Sequence, residues 1–277
     1  MTGSFIDTTL VVAASTAGSE WSAKAEQHAR AFTPSQIPHY ALREMSAGVL
    51  HILCAAHNRV RQEKDTGRAI TSVLNLPPIT GRTREGQLRA LAKSLSEALN
   101  YPGISTEPMA LEVRRKMCHD LSLQIVRQWK RARSLPATAL VQPLGCFGAS
   151  DLTLDADGLI EGPGRRFGCR PEMRCAAAGY LSDKPEELEK IVAFLRPGKE
   201  NNPVKDKPEM VRARAALKEL IHAGPAKFNK RYCRALGDSY FAVMCPPGSN
   251  VITTNTRDHQ PLCAALGKQA INPLAPS

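Results

Sequence analysis

The chain has 277 residues, is 43% apolar, and carries 37 Lys and Arg against 26 Asp and Glu, a formal charge of +11. That length exceeds a single small domain, the apolar fraction is ample for a packed core, and the basic excess favours a polyanionic partner such as RNA or DNA. No segment reads as a signal peptide and the apolar run Leu10 to Ala14 is far too short to cross a bilayer, so a cytoplasmic protein with no membrane contact is expected.

Ser4 to Ala14 is apolar and β-branched and reads as a strand buried on both faces of a parallel sheet, interrupted by Asp7. Glu20 to Phe32 follows as a helix, with Trp21, Ala25, Ala29 and Phe32 at helical spacing. The short segment Gln36 to His39 then leads into a long helical pattern, Tyr40 to Val60, with Leu42, Met45, Val49, Ile52 and Leu53 inward and Glu44 in its first turns.

From about Arg61 the character changes, and Gly, Pro and charged residues punctuate two further helical stretches, Arg84 to Asn100 and Glu107 to Arg133. In the second, Met109, Val113, Met117, Leu121, Ile125 and Trp129 draw one apolar stripe. Thr138 to Cys175 reads as short strands and turns, with Asp155 to Gly158 as a hairpin connection. An EF-hand loop is the sharper alternative there, but its later ligands and closing Glu are missing. Gly198 to Pro208 is a polar linker, after which Glu209 to Ala223 is a helix and Lys227 to Cys245 contains another. Asn250 to Thr254 is a short strand, and Pro261 to Leu266 begins a terminal helix ahead of Ala270 to Leu274. Strand, helix, helix, then helix, strand, helix make an α/β sandwich: a discontinuous core of residues 1–60 and 208–277, interrupted by a mostly helical insertion, 61–207, with a β/turn region near 138–175.

Eight scattered cysteines, without a CxxC, suit reduced and mostly buried thiols. Cys146, Cys169 and Cys175 are the sharper candidates, for zinc, but they lack an evident fourth ligand.

The acidic residues carry the chemistry. Asp7 interrupts a buried strand, Glu44 starts a helix, Asp238 opens the apolar stretch Tyr240 to Cys245, and Asp258 ends the turn after Val251 to Thr254. Buried carboxylates that converge repel one another, so they persist where a divalent cation neutralises them. Mg²⁺ and Mn²⁺ prefer oxygen ligands, which suits a carboxylate set without a histidine cluster.

FIDTT around Asp7, IPHYALREM with Glu44, GDSYFAVMC with Asp238 and VITTNTRDH with Asp258 together resemble the PIN-domain ribonucleases, including the VapC-like toxin nucleases of toxin–antitoxin pairs. The resemblance covers the first 60 and last 70 residues or so and rests on the order and spacing of these pieces. Thr9 departs from it, standing where that family often has Asn, and leaves a hydroxyl able to orient a metal-bound water or a carboxylate.

The resemblance implies a PIN-like three-layer sandwich with a mostly parallel sheet, and metal-assisted hydrolysis of RNA by a toxin or defence endoribonuclease. Asp7, Glu44, Asp238 and Asp258 would hold one or two Mg²⁺ or Mn²⁺ ions, with Thr8, Thr254 and Asn255 fixing the carboxylates. Lys230, Arg231 and Arg234, just before Asp238, are expected to track substrate phosphates. His39, His119 and His259 are expected to be structural or surface groups, His259 being the least ordinary because it follows Asp258. RNA is favoured over DNA as partner, with an inhibitory antitoxin or a second copy of the chain as further candidates. The alternative is a catalytically silent PIN-like module that binds nucleic acid or protein through the basic insertion.

Overall fold

Asp7 splits what reads as one strand in the sequence. In a computed structural model the strand β1 is only Ser4–Ile6, and Thr8–Ser15 is a helix, α1. Asp7 is the N-cap between them: its backbone is extended (φ −80°, ψ 160°) and its side chain accepts from the Thr9 amide. This corrects the expected strand Ser4 to Ala14. An N-cap carboxylate satisfies one of the amides that a helix start leaves unpaired, and that local signal outweighs the β-branched composition of Thr8, Thr9, Val11 and Val12.

The structure describes residues 3–16, 20–31, 35–63, 68, 109–135, 138–141, 152–161, 175–196 and 207–275. It divides into two compact units, one of Met1–Leu42, Leu135–Gly148 and Cys169–Ser277, the other of Arg43–Ser134 and Ala149–Gly168.

The first unit is an α/β structure on an all-parallel sheet. After α1 and α2 (Glu20–Ala31) come β2 (Ser35–Pro38), β3 (Thr138–Val141), β6 (Asn250–Ile252) and β7 (Ala270–Ile271), which with β1 give the order β3-β2-β1-β6-β7. Ser4 stands opposite Ser35 on one side and Asn250 on the other. The chain leaves β1 first toward β2 and β3 and later toward β6 and β7, so the direction of winding reverses between β1 and β6. Ligands in open parallel sheets bind beyond the carboxyl ends of the strands at such a reversal.

The strand β3 falls inside the segment 61–207 that the sequence assigns to an insertion, yet it pairs in parallel with β2 from Ser35↔Thr138 to Pro38↔Val141. Residues 169–207 also belong to the first unit, and Arg43–Ser134 forms most of the second. Composition shifts mark neither boundary, because parallel pairing joins strands with long intervening chain.

The helices of the first unit are α6 (Ala176–Ser182), α7 (Pro185–Phe194), α8 (Pro208–Lys227), α9 (Gly237–Met244) and α10 (Thr256–Ala265). In α8 Gly224 adopts φ +70° just before Pro225, which breaks the helix near its end. A 3-10 segment, Lys230–Leu236, runs directly into α9, and α10 begins earlier than the expected Pro261. Phe5, Tyr40, Tyr240 and Phe241 are all buried. Their rings interlock, Phe5 edge-on to Phe241 at 6.2 Å and Tyr40 against Tyr240 at 5.1 Å. That cluster seats α9 against the sheet.

In the second unit the expected long helix divides into the end of α3 (His39–Met45), a π-helical turn (Ser46–Leu50) and α4 (His51–Gln62). α4 packs on the long helix α5 (Met109–Arg133), whose Val113, Met117, Leu121, Ile125 and Trp129 are buried as the stripe predicts. The hairpin at Asp155 to Gly158 is present between β4 (Thr153–Leu154) and β5 (Ile160–Glu161), with Gly158 at φ +73°. Asn58 of α4 holds this hairpin in both directions, donating to Ile160 O (3.1 Å) and accepting from Ile160 N (2.8 Å). The expected helix Arg84 to Asn100 and most of the linker Gly198 to Pro208 lie outside the described residues, as do Cys146 and Cys169 of the zinc alternative.

Candidate active site

The carboxyl ends of β1 and β6, on either side of the reversal, are followed by Asp7 and Thr253. The Asp7 amide donates to Ile252 O at 3.0 Å, which fixes where its side chain leaves the sheet. Asp7 Oδ2 accepts from the Thr9 amide (3.2 Å), the Thr9 hydroxyl (2.8 Å) and the Thr253 hydroxyl (2.8 Å). Both hydroxyls are held in turn from behind, Thr9 Oγ1 accepting from the Thr254 amide (3.0 Å) and Thr253 Oγ1 from the Asn255 amide (2.9 Å). Thr9 therefore orients a carboxylate, one of the two roles its hydroxyl was open to.

The other oxygen of Asp7 faces His259. Nε2 of His259 lies 3.5 Å from Asp7 Oδ1 and 3.4 Å from Asp238 Oδ1, so one imidazole nitrogen stands between two carboxylates 231 positions apart in the chain. His259 is 1% exposed, with its ring edge-on to Phe241 at 5.7 Å, whereas the Asp238 side chain is 38% exposed. Burial alone pushes the Asp7 pKa up; the charge of His259 and the bonds from His259, Thr253 and Thr9 overcome it, and the carboxyl sits at about 2. Asp7 is a buried anion with a built-in counter-charge.

Lys268 fastens the two helices that carry Asp238 and His259. α10 ends at Ala265; two residues on, Gly267 takes φ +68°, and the Lys268 amide closes the turn on Cys263 O. The Lys268 ammonium then donates to Ala242 O (2.8 Å), Val243 O (3.2 Å) and Cys245 O (2.5 Å) at the carboxyl end of α9. Those carbonyls have no partner within a helix end, and a cation there also complements the helix dipole. Nearby Cys245 and Cys263 are buried thiols, pushed up by that burial to about 11 and about 12, and remain protonated at neutral pH.

Asp7 and Asp238 are thus brought together. Asp258 lies in the first turn of α10, half-buried, and accepts from Asn255 Nδ2 at 2.8 Å. Glu44 is half-buried in the part of α3 that belongs to the second unit. Of the residues expected to fix the carboxylates, Asn255 holds Asp258, Thr254 acts through its amide on Thr9, and Thr8 is the half-buried first residue of α1. The hydroxyl that does hold Asp7 from β6 is that of Thr253, one residue earlier than expected. Lys230, Arg231 and Arg234 fall in the 3-10 segment, and their side chains lie outside the described residues.

His259 is the main correction: it is buried at the centre of the group. The sequence carries a signal for it, because His259, Leu262 and Cys263 share the inward face of α10 at three- and four-residue spacing. Among the described residues no set of three or more His, Cys, Asp or Glu side chains is placed to hold a metal ion, and no helix is long and apolar enough to cross a membrane. Compared with family models, curated proteins and solved structures, the chain matches none of them.

Proposed function

We propose that the chain is a metal-dependent endoribonuclease of the PIN-domain type, working at Asp7 and Asp238. The observation that carries this reading is the convergence of those two carboxylates on one point at the reversal of a parallel sheet. The donor chemistry suits Mg²⁺ or Mn²⁺. Asp7 Oδ2 is committed to the protein, while its Oδ1 and Asp238 Oδ1 are the two hard oxygens that converge. Mg²⁺ is commonly held by one or two carboxylates, keeping waters and substrate phosphate as its other ligands, so two carboxylates suffice without a third side chain.

Asp7 and Asp238 would hold the cation, which when bound supplies a hydroxide-like water and neutralises charge building on the phosphate. The protein's own part is positional. Thr9 and Thr253 fix the carboxylate plane of Asp7, His259 holds the two carboxylates at one spacing, and the exposed edge of Asp238 faces the substrate side. Asp258 and Glu44 complete the acidic set of the resemblance, with Lys230, Arg231 and Arg234 as phosphate contacts. The toxin or defence role, an antitoxin and a dimer rest on the resemblance alone.

The test is incubation of the purified protein with labelled single-stranded RNA, duplex RNA and DNA in Mg²⁺, Mn²⁺ or EDTA. RNA cleavage is expected, lost in EDTA and in Asp7→Asn and Asp238→Asn variants that still fold. Cutting that persists in both variants sinks the site. A second reading, the silent PIN-like binding module, is favoured by His259: its Nε2 lies within 3.5 Å of both Asp7 Oδ1 and Asp238 Oδ1, so a side chain of the protein itself bridges the two carboxylates. Absence of cleavage on every substrate and with either metal would select it.

A further inference from the structure

One side of α5 is buried on Val113, Met117, Leu121, Ile125 and Trp129; its opposite side is rich in cations. Arg115, His119, Leu123, Arg127 and Arg131 follow one another at four-residue steps and are all exposed, with Lys130 and Arg133 exposed beside the last of them. Each step advances about 6 Å along the axis, so the row extends for about 24 Å. From Arg115 to Ser134 no exposed residue is acidic. The one carboxylate in that stretch, Asp120, is half-buried and paired with Lys116 at 2.5 Å.

A face that serves only solubility mixes both signs, because like charges one turn apart destabilise a helix. A single-signed row is explained by a ligand that supplies the missing charge. The exposed cluster Arg127, Lys130, Arg131 and Arg133 suits a polymer with repeating charge, and its guanidinium groups fit the oxygens of phosphate in forked pairs. We infer that the exposed side of α5 binds the phosphodiester backbone of a single nucleic-acid strand, with Leu123 offering the one apolar contact within the row. The inference shares with the proposed function only the class of partner: backbone contacts require no cleavage and no metal.

Binding is measured by anisotropy of labelled single-stranded RNA, single-stranded DNA of the same sequence, and polyglutamate, using the full chain carrying Asp7→Asn in EDTA so that nothing is cut. The triple variant Arg115→Glu, Arg127→Glu, Arg131→Glu is compared with Arg212→Glu, which changes an exposed arginine of α8. The triple variant should bind RNA at least tenfold more weakly, and a matched Arg→Gln triple should lower the slope of log K against log salt by about 2, since each lost phosphate contact removes about 0.7. Arg212→Glu should change neither. Equal binding of RNA and DNA supports a backbone contact. The inference is overturned if the triple variants bind RNA with unchanged affinity and slope, or if polyglutamate binds as tightly as RNA. A failure of nuclease activity leaves these measurements intact.

Discussion

The Thr253 hydroxyl donates to Asp7 across the gap between β6 and β1, at 2.8 Å and 246 positions away in the chain. This bond, with those of Thr9 and His259, holds Asp7 ionised although it is buried, at a pKa of about 2 against an ordinary 3.8. The depressed value sets a direction. Between pH 3.8 and 2 the unfolded chain binds more protons than the folded one, so the stabilisation is complete above that window and is lost as pH falls through it. It amounts to about 2 kcal/mol at neutral pH. Urea unfolding as a function of pH should show this loss, and Asp7→Asn should flatten it. Thr253→Val should cost about 1–3 kcal/mol at neutral pH, less once Asp7 is protonated.

His259→Leu should be the most damaging single change at the site. It leaves Asp7 buried without its counter-charge, a defect that costs about 3–5 kcal/mol. If the imidazole serves the carboxylates, the double variant Asp7→Asn, His259→Leu loses much less than the sum of the single changes, and a double-mutant cycle in urea reads the difference. Strict additivity would separate the two residues.

Lys268→Met should destabilise the first unit by about 2–3 kcal/mol, because it leaves the carbonyls of Ala242, Val243 and Cys245 without their shared donor. Methionine keeps most of the packing volume, so the loss measured by chemical denaturation isolates the ammonium. RNA cleavage should fall beyond what lost stability explains, since α9 carries Asp238.

Asn58→Leu should cost about 1–3 kcal/mol in the second unit, where Asn58 pairs with both backbone groups of Ile160. Hydrogen exchange should report faster exchange at Ile160 and Leu159. Protection across the parallel sheet should be unchanged.

Much of the site is legible in the sequence as polar residues set in apolar surroundings: Asp7 and Asp238 stand out there, and Asp7, which is buried, demands a partner. What that partner is does not show. A histidine on an apolar helix face is usually a core residue with a backbone contact, and only the fold brings His259 of α10 between residues of β1 and α9. Asp7 is hidden as a helix cap because a short apolar run fits a strand and a helix equally. β3 is hidden because its pairing with β2 depends on about 100 intervening residues rather than on local pattern.

Nearly everything that steadies Asp7 arrives late. Apart from Thr9, its partners Thr253 and His259 and the neighbouring Ile252 carbonyl follow it in the chain by 245 to 252 positions. On the ribosome β1 therefore waits for its neighbour β6 while the 243 residues between them are made, and contacts of such separation are among the slowest to close. A nascent chain cannot assemble the Asp7–His259–Asp238 group before His259 has been made, so whatever chemistry that group performs waits for that residue.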